Sequence, residues 1–316
     1  MVSIAIPSTC IGAQTCTNLQ QATFSLYEVS RACAMFNVTE IVIYDVREET
    51  LDSKTDLSES KPKKIKLDSE SSETSKAMEQ TNSENRSLDM MFSANMLQYF
   101  ITPRHLRTLI FKGIGNNRQF KYAQKIPEIP YINDSHSNVI QGIAVPRAKP
   151  KKLPGQKKLT KKNRRDASNT KYINIGFDRL FALSKEQTVP VHSQVFVDFK
   201  TGEVVSGPRQ YTVRAVKNFS HIFTESPFPE GYEQTLFVPC QHFKSEKTPL
   251  IQEVGVPDSK EKLMLIFGKW DEVQLSVKND EELELEDAAD LFDGMYPTFS
   301  KARLEDVVMV SLAKLS

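Results

Sequence analysis

The run Leu263-Met264-Leu265-Ile266-Phe267 is the middle one of three short apolar runs in the C-terminal part of the chain, between Thr235–Val238 and Leu291–Tyr296. Short runs of Val, Leu, Ile and Phe that end at Pro, Gly or charged residues are typical of buried strands. The last segment, Arg303–Leu315, carries apolar residues on one helical face, at Leu304, Val307, Val308, Leu312 and Leu315. The sequence therefore predicts strands joined by loops and a closing helix, with the acidic segment Asp271–Asp290 as a surface excursion.

The N-terminal segment predicts a parallel sheet. Ser3–Pro7 and Ile41–Asp45 have the pattern of strands, and Leu19–Phe36 has the apolar spacing of a helix with Thr17 or Asn18 as its N-cap. A strand, a helix and a strand in this order indicate a βαβ unit, whose two strands run parallel. The first connection lacks G-x-G-x-x-G and the chain has no P-loop motif, which argues against a nicotinamide-type Rossmann site and a P-loop.

Three loops of the C-terminal part are candidates for a ligand site. In open parallel sheets, ligands bind at the loops that follow the carboxyl ends of the strands. Here these loops are Pro239–Phe243, Gly268–Asp271 and Pro297–Ala302.

Several segments resemble the SPOUT family of RNA methyltransferases, most closely its eukaryotic and archaeal branch with an inserted β-barrel. In the C-terminal part they are Phe228-Pro229-Glu230-Gly231-Tyr232, Leu265-Ile266-Phe267-Gly268 and Val310-Ser311-Leu312-Ala313. In the N-terminal part they are Val2-Ser3-Ile4-Ala5-Ile6-Pro7, Arg31-Ala32-Cys33-Ala34 and Glu40-Ile41-Val42-Ile43-Tyr44-Asp45. The resemblance covers most of the chain apart from about residues 47–89.

The resemblance implies an α/β fold: a parallel-sheet SPOUT domain with a C-terminal trefoil knot, plus an inserted small OB-like β-barrel. It also implies S-adenosylmethionine as cofactor, RNA such as pre-rRNA as substrate in ribosome biogenesis, and a dimer. Arg303 aligns with an Arg before the last helix and is the candidate catalytic residue. The implied cofactor-binding residues are Val238, Pro239, Phe267, Gly268, Lys269, Pro297, Ser300 and Ala302.

The first cofactor loop departs from the family. Relatives carry Gly-Thr-Ser-Glu-Arg-Gly after this strand, whereas this chain has Phe237-Val238-Pro239-Cys240-Gln241-His242. Cys240 and His242 have no visible orienting partner, so we do not expect a nucleophile and base pair. Two functions stay open: an RNA methyltransferase with a diverged pocket, and a catalytically inactive SPOUT scaffold that binds RNA and dimerises with itself or with a paralogue.

Changes of composition divide the chain into five segments. Residues 1–46 begin the SPOUT domain, and the Ser-, Glu- and Lys-rich residues 47–89 are predicted to be disordered because they bury too little apolar surface. Residues 90–135 continue the domain, with a short helix starting at Pro103. Residues 136–209 hold short strands, including Val139–Val145, Tyr172–Phe177 and Gln194–Phe199, which predict the small barrel. Residues 210–316 form the knot and cofactor region.

The loop between the first two barrel strands, residues 147–171, is strongly basic and predicts phosphate contacts with RNA, although a solvated loop would have the same composition. A second basic cluster, Lys61–Lys66, is either a nuclear localisation signal or a solvated charge cluster. These clusters predict residence in the nucleus, and in the nucleolus if the RNA is pre-rRNA. The candidate RNA-binding residues are Arg147, Lys149, Lys151, Lys152, Lys157, Lys158, Lys161, Lys162, Arg164, Arg165 and Lys171.

The composition agrees with an intracellular protein. The net charge is +1 and four cysteines show neither a CxxC pair nor zinc spacing, which suits a reducing compartment and predicts no metal site. We expect no signal peptide and no membrane span. Apolar residues cover a wide arc of the last helix, at Val308, Met309, Val310 and Leu312, and more than one face of the first helix, which predicts dimerisation through these helices.

Overall fold

A computed structural model describes most of the chain outside the low-complexity segments. The described residues are 1–12, 15–46, 89–111, 118–129, 138–146, 169–176, 180–184, 187–205, 207, 210–240, 251–257, 261–283, 285, 287–299 and 302–316. The predicted disordered segment 47–89, except for Asp89, lies outside these ranges, and so does the basic loop 147–171, except for its last three residues. The described chain divides into two compact units, residues 1–98 with 211–316 and residues 99–210.

The first unit is built on a six-stranded parallel sheet. Its strands, numbered along the whole chain, are β1 (Val2–Pro7), β2 (Glu40–Tyr44), β10 (Thr212–Val216), β11 (Gln234–Pro239), β12 (Leu263–Gly268) and β13 (Gly294–Met295). Their order in the sheet is β10-β2-β1-β12-β11-β13, and every neighbouring pair is parallel. The predicted parallel α/β sheet is therefore confirmed. The trefoil knot stays a prediction.

Helices cover both faces of this sheet. They are α1 (Leu19–Met35), α4 (His221–Thr224), α5 (Trp270–Lys278) and α6 (Leu304–Leu315). A further helix, α2, spans residues 89–101. Successive strand residues point to opposite faces. On one face Ala5, Phe237 and Ile266 pack with Trp270 and Val273 of α5. On the other face Ile4, Ile6, Ile43 and Leu265 are fully buried, and α6 packs against β12 and against α1.

The second unit contains the helix α3 (Arg104–Ile110) and the strands β3 (Val139–Ala144), β4 (Asn169–Thr170), β5 (Tyr172–Asn174), β6 (Phe181–Ala182), β7 (Val189–Pro190), β8 (Gln194–Asp198) and β9 (Val204–Val205). Five of these strands form an antiparallel sheet in the order β6-β5-β3-β8-β9, and β4 pairs with β7 in a two-stranded sheet. Its core consists of small and branched apolar residues such as Ile173 and Val197. Whether these strands close into the predicted OB-like barrel stays a prediction.

The local predictions agree with the structure at several element ends. Asn18 is the N-cap of α1, because its side-chain oxygen accepts a hydrogen bond of 2.8 Å from the Gln21 backbone N–H. Pro103 precedes α3 directly, as predicted. No helix among the described residues is long and apolar enough to cross a membrane.

The predicted surface excursion over Asp271–Asp290 is wrong for its first part, where α5 lies. This helix buries Trp270, Val273 and Val277 against the sheet. The narrow apolar stripe lies among charged residues, which is why the composition suggested a solvated segment. The predicted strand Leu291–Tyr296 is also shorter, since only Gly294–Met295 pairs with β11 and the preceding residues form a 3₁₀ turn.

Candidate functional site

A crevice lies where β1 and β12 end side by side. The chain leaves β1 through the 3₁₀ turn Ser8–Ile11 towards α1, whereas it leaves β12 directly into α5, which packs on the opposite face of the sheet. Ligand sites of open parallel sheets form where neighbouring connections diverge in this way. The cavity volume of the crevice is about 20 Å³, room for about one water molecule. Its lining residues are Pro7, Thr9, Cys10, Thr15, Cys240, Gly268, Lys269, Glu272 and Leu304.

The described parts of the three predicted loops meet at this end of the sheet. Pro239 and Gly268 are partners in the parallel register, and the Cys240 backbone N–H donates a hydrogen bond of 2.9 Å to the Gly268 carbonyl. The Thr298 hydroxyl donates to the Pro239 carbonyl at 3.2 Å, and Lys314 Nζ donates to the Pro297 carbonyl at 3.2 Å. The loops predicted from separate stretches of sequence are therefore neighbours.

Gly268 is required by a close approach of Tyr44. The Tyr44 hydroxyl donates a hydrogen bond of 2.8 Å to the Phe267 carbonyl, and a Cβ at position 268 would collide with that hydroxyl. Burial raises the pKa of Tyr44 well above its ordinary value, so the phenol stays protonated and able to donate.

A polar network of three side chains crosses the crevice. The Thr9 hydroxyl, from the turn after β1, donates a hydrogen bond of 2.9 Å to Glu272 Oε1. Lys269 Nζ lies 3.4 Å from the same carboxylate oxygen, and the Lys269 backbone N–H donates to Glu272 Oε2 at 3.4 Å. The Glu272 side chain is 16% exposed, so it borders the crevice without being sealed from solvent. A carboxylate in the first turn of α5 is also favoured by the helix dipole.

The cysteines around the crevice are poor nucleophiles. Burial raises the pKa of the Cys10 thiol well above its usual range, and it does the same for Cys240. A thiol that stays protonated does not attack, which agrees with the expectation that Cys240 has no catalytic role. His242, the residue weighed as its base, lies outside the described residues. The described residues contain no group of three His, Cys, Asp or Glu side chains that could hold a metal ion.

Arg303 lies at the N-terminus of α6 and is held by a network of its own. Its Nε lies 3.0 Å from Glu305 Oε1, and one terminal nitrogen donates a hydrogen bond of 3.3 Å to the Ser25 hydroxyl. The Ser25 hydroxyl also contacts Glu305 Oε1 at 3.2 Å. The Arg303 side chain remains 42% exposed next to crevice residue Leu304, so its catalytic role stays a prediction.

The structure places the other predicted site residues as follows. Val238 and Phe267 are fully buried in β11 and β12, so only their backbone atoms could reach a ligand. Ser300 lies outside the described residues, while Ala302 is half-buried beside the start of α6. Lys171 is half-buried just before β5. The remaining ten basic candidates, Arg147 to Arg165, lie outside the described residues.

Six residues of the crevice lining were not predicted from the sequence, namely Pro7, Thr9, Cys10, Thr15, Glu272 and Leu304. The rule that ligands bind beyond the carboxyl ends of parallel strands would have pointed to Thr9 and Cys10, because they follow β1 closely. The same rule would have pointed to Glu272, which comes directly after the predicted loop Gly268–Asp271, but its segment was interpreted as a solvated acidic surface.

Comparison with known proteins places the chain in one family. The family model described as "Putative RNA methyltransferase" matches residues 1–315. A Saccharomyces cerevisiae protein named as a putative methyltransferase is 26% identical over 99% of this chain and 93% of its own length, and a second such yeast protein is 29% identical over 85% and 72%. The 28S rRNA (uridine-N(3))-methyltransferase of Homo sapiens is 26% identical over 99% of this chain and 77% of its own. The chain therefore belongs to the SPOUT family of RNA methyltransferases.

Proposed function

We propose that this chain is an S-adenosylmethionine-dependent RNA methyltransferase that acts on structured RNA, namely pre-rRNA during ribosome biogenesis. The family match over residues 1–315 supports the activity, and the name of the human relative supports rRNA as the substrate and the imide nitrogen of a uridine as the acceptor. The observation that carries the proposal is the crevice at the ends of β1 and β12, where the predicted loops meet.

The residues of the crevice match the chemistry of the proposed cofactor. S-adenosylmethionine carries a carboxylate, an ammonium group and a ribose diol, and it supplies an electrophilic methyl group on a sulfonium. Lys269 offers a cation for the carboxylate, and Glu272 offers an acceptor for the ammonium or the diol. Backbone groups at Pro239, Gly268 and Pro297 lie on the loops that would hold the rest. The chain's own task is to bind, orient and exclude water, because methyl transfer needs little covalent help from the protein.

A second function is favoured by the size of the crevice. Ligand pockets usually measure about 300–1,000 Å³, whereas the described residues enclose about 20 Å³. Together with the altered first loop, this supports the alternative of a catalytically inactive scaffold that binds RNA and pairs with a SPOUT paralogue.

The following proposals about the fold, the RNA contacts and the dimer interface apply to both functions. We propose that the segment from β11 to α6 forms a trefoil knot, which the parallel pairing of β11 with both β12 and β13 supports. The five-stranded antiparallel sheet of the second unit supports the OB-like barrel. The basic segment 147–171 would contact RNA phosphates, and α1 and α6 would form the dimer interface.

Two measurements on the same preparation separate the two functions. Calorimetric titration with S-adenosylmethionine should give micromolar affinity if the chain is an enzyme. Incubation with radiolabelled cofactor and total RNA should then label rRNA, with digestion to nucleosides identifying the modified base. Absence of binding, both alone and with a co-expressed paralogue, would overturn the enzyme proposal. Binding of rRNA without cofactor binding is the result expected for the scaffold.

A further inference from the structure

We propose that a groove on the solvent-facing side of α5 binds the lysine cluster of the same chain, residues 61–67. The groove shares no lining residue with the crevice at the ends of β1 and β12, and the pairing does not depend on the proposed function. The lysine cluster lies outside the described residues. Three observations support the pairing: the lining of the groove, the opposite charges of the two partners, and the place where the chain leaves the described part of the structure.

The groove runs along one face of α5. Four of its lining residues follow the i, i+3, i+4, i+7 spacing that places side chains on one side of a helix, namely Asp271, Gln274, Leu275 and Lys278. Leu285 and Ala288, from the segment after α5, also line it, and Leu275 and Leu285 are only half-buried. The cavity volume is about 580 Å³, which lies within the range of about 300–1,000 Å³ found for ligand pockets. The groove is therefore large enough for a ligand and offers it apolar surface.

The charge around the groove is strongly negative. Residues 271–293 contain ten acidic residues and a single basic one, Lys278. Asp271 lines the groove and Asp287 precedes the lining residue Ala288, and both aspartates are exposed. Complementary charge favours the correct partner over others. Acidic residues around half-buried leucines therefore fit a partner that carries several positive charges together with apolar side chains.

The lysine cluster has this composition. Its sequence is Lys61-Pro62-Lys63-Lys64-Ile65-Lys66-Leu67, with four lysines, two branched apolar residues and no acid. Elsewhere in residues 47–88 lysine and arginine occur only singly. The cluster is therefore the part of this segment whose charge is opposite to that of the groove, and Ile65 and Leu67 supply the apolar side chains.

The chain leaves the described part of the structure beside α5. Asp45 follows β2, and its backbone carbonyl accepts a hydrogen bond of 3.3 Å from the Ser276 hydroxyl of α5. The 15 positions from Val46 to Lys61 reach up to about 50 Å when extended. The nine residues of α5 are only about 14 Å long. The lysine cluster can therefore reach any part of the groove.

Weak affinity is enough for this contact because both partners belong to one chain. A site and a segment that are joined by a short linker meet at an effective concentration of about a millimolar, so a dissociation constant of about a millimolar fills the groove about half of the time. For the rest of the time the cluster is free for other partners. Docking therefore does not prevent the cluster from acting as a nuclear localisation signal.

Carbodiimide cross-linking of the full chain tests the pairing directly, because the reagent joins a lysine amine to a carboxylate only where the two are in contact. A mixture of unlabelled and heavy-isotope-labelled chains distinguishes contacts within one chain from contacts between two copies. We expect cross-linked peptides that join lysines of the cluster to Asp271 or Asp287, with both peptides from the same chain. Cross-links spread evenly over the exposed carboxylates of the protein would overturn the proposal. Cross-links that join only labelled to unlabelled chains would overturn it in favour of a second copy as the occupant.

Limited digestion with trypsin provides a second measurement. Docking should make cleavage after the lysines of the cluster slower than cleavage after Lys54 and Lys76 of the same segment. Asp271→Lys should raise the cleavage rate of the cluster about twofold, as expected for a groove that is half occupied. Asp306→Lys makes the same change at an exposed position in the first turn of α6 and should leave the rate unaltered.

Two results of the digestion would contradict the proposal: cleavage of the cluster as fast as that of Lys54 and Lys76, and an equal effect of the two substitutions. If Asp271→Lys does not fold, the cross-linking of the unmodified chain still decides. Neither measurement uses cofactor or RNA, so failure of the pairing is distinguishable from failure of the proposed function.

Discussion

The Tyr44 hydroxyl occupies the space that a side chain at Gly268 would need, and it donates a hydrogen bond of 2.8 Å to the carbonyl of the preceding residue, Phe267. The two residues lie on different strands, β2 and β12, which are separated by β1 in the sheet. The glycine that the family resemblance assigns to the cofactor is thus already needed for packing, before any ligand binds.

Gly268→Ala should destabilise the first unit by about 1–3 kcal/mol, because the new methyl group forces the Tyr44 ring to move. Tyr44→Phe should cost about 1 kcal/mol because it removes the hydrogen bond to the Phe267 carbonyl. The double variant should cost less than the sum, since removal of the hydroxyl makes room for the methyl group. Urea unfolding of the four proteins measures this coupling, and strictly additive effects would show that the two groups do not meet.

The Asp280 carboxylate should make stability depend on pH. Burial alone would raise the pKa of Asp280, but hydrogen bonds from the backbone N–H of Ser220 (2.6 Å) and Glu282 (3.0 Å) outweigh it, so the pKa lies below its ordinary value. The stabilisation is therefore complete above about pH 4 and is lost as the pH falls through the lower folded-state pKa. Asp280→Asn should cost about 1–3 kcal/mol at pH 7 and much less near pH 2 in urea unfolding. Glu281→Gln, at an exposed neighbouring position, should show no such dependence.

The basic segment should carry most of the affinity for RNA. Replacement of Lys151, Lys152, Lys157, Lys158, Lys161 and Lys162 by Ala should weaken binding to all RNA sequences alike. The slope of log K against log salt should fall by about 0.7–0.9 for each phosphate that the variant no longer neutralises. Filter binding at several salt concentrations measures both quantities. The same six residues changed to Arg preserve the charge and should bind normally, whereas an unchanged slope in the Ala variant would show that the segment does not contact RNA.

A charged substitution at Met309 should disrupt the dimer, whereas the same substitution at Val308 cannot test dimerisation. Val308 is fully buried within one chain, so a charge there would unfold the protein, whereas Met309 is only half-buried on α6. Met309→Glu should yield a folded monomer, because obligate interfaces are large and apolar. Ala313→Glu adds the same charge at an exposed position of the helix and should leave the dimer intact. Sedimentation velocity gives the mass; an unmodified protein that is monomeric, alone and with a co-expressed paralogue, contradicts this prediction.

The protein should accumulate in the nucleus and nucleolus through its two basic clusters. Deletion of residues 47–89 together with neutralisation of the basic residues in 147–171 should shift a fluorescently tagged chain to the cytoplasm. Neutralising the exposed acidic residues Glu281 and Asp290 instead provides a control that changes charge elsewhere and should not affect localisation. Equal distribution of the unmodified and the doubly altered chain would contradict the prediction.

The sequence by itself determined the elements whose apolar pattern is local. The runs at Ile41–Asp45 and Leu263–Phe267 form buried strands, and the segment Arg303–Leu315 forms α6. In each case burial of a continuous apolar run or stripe is the main favourable contribution to the free energy of folding. The N-cap at Asn18 was predictable because it too is a local feature: its hydrogen bond lies within a single turn. The helix α5 was not predicted, because its apolar stripe is narrow and its polar residues dominate the composition.

Only the tertiary structure decided which loops share a site. Thr9 and Glu272 are separated by 263 positions, and their contact exists because β1 and β12 are neighbours whose connections leave to opposite faces. That strand order depends on helices that bury both faces of the sheet at once. Because these helices come from distant parts of the chain, no local sequence pattern encodes the order. The crevice, its carboxylate and the packing role of Gly268 all follow from this order.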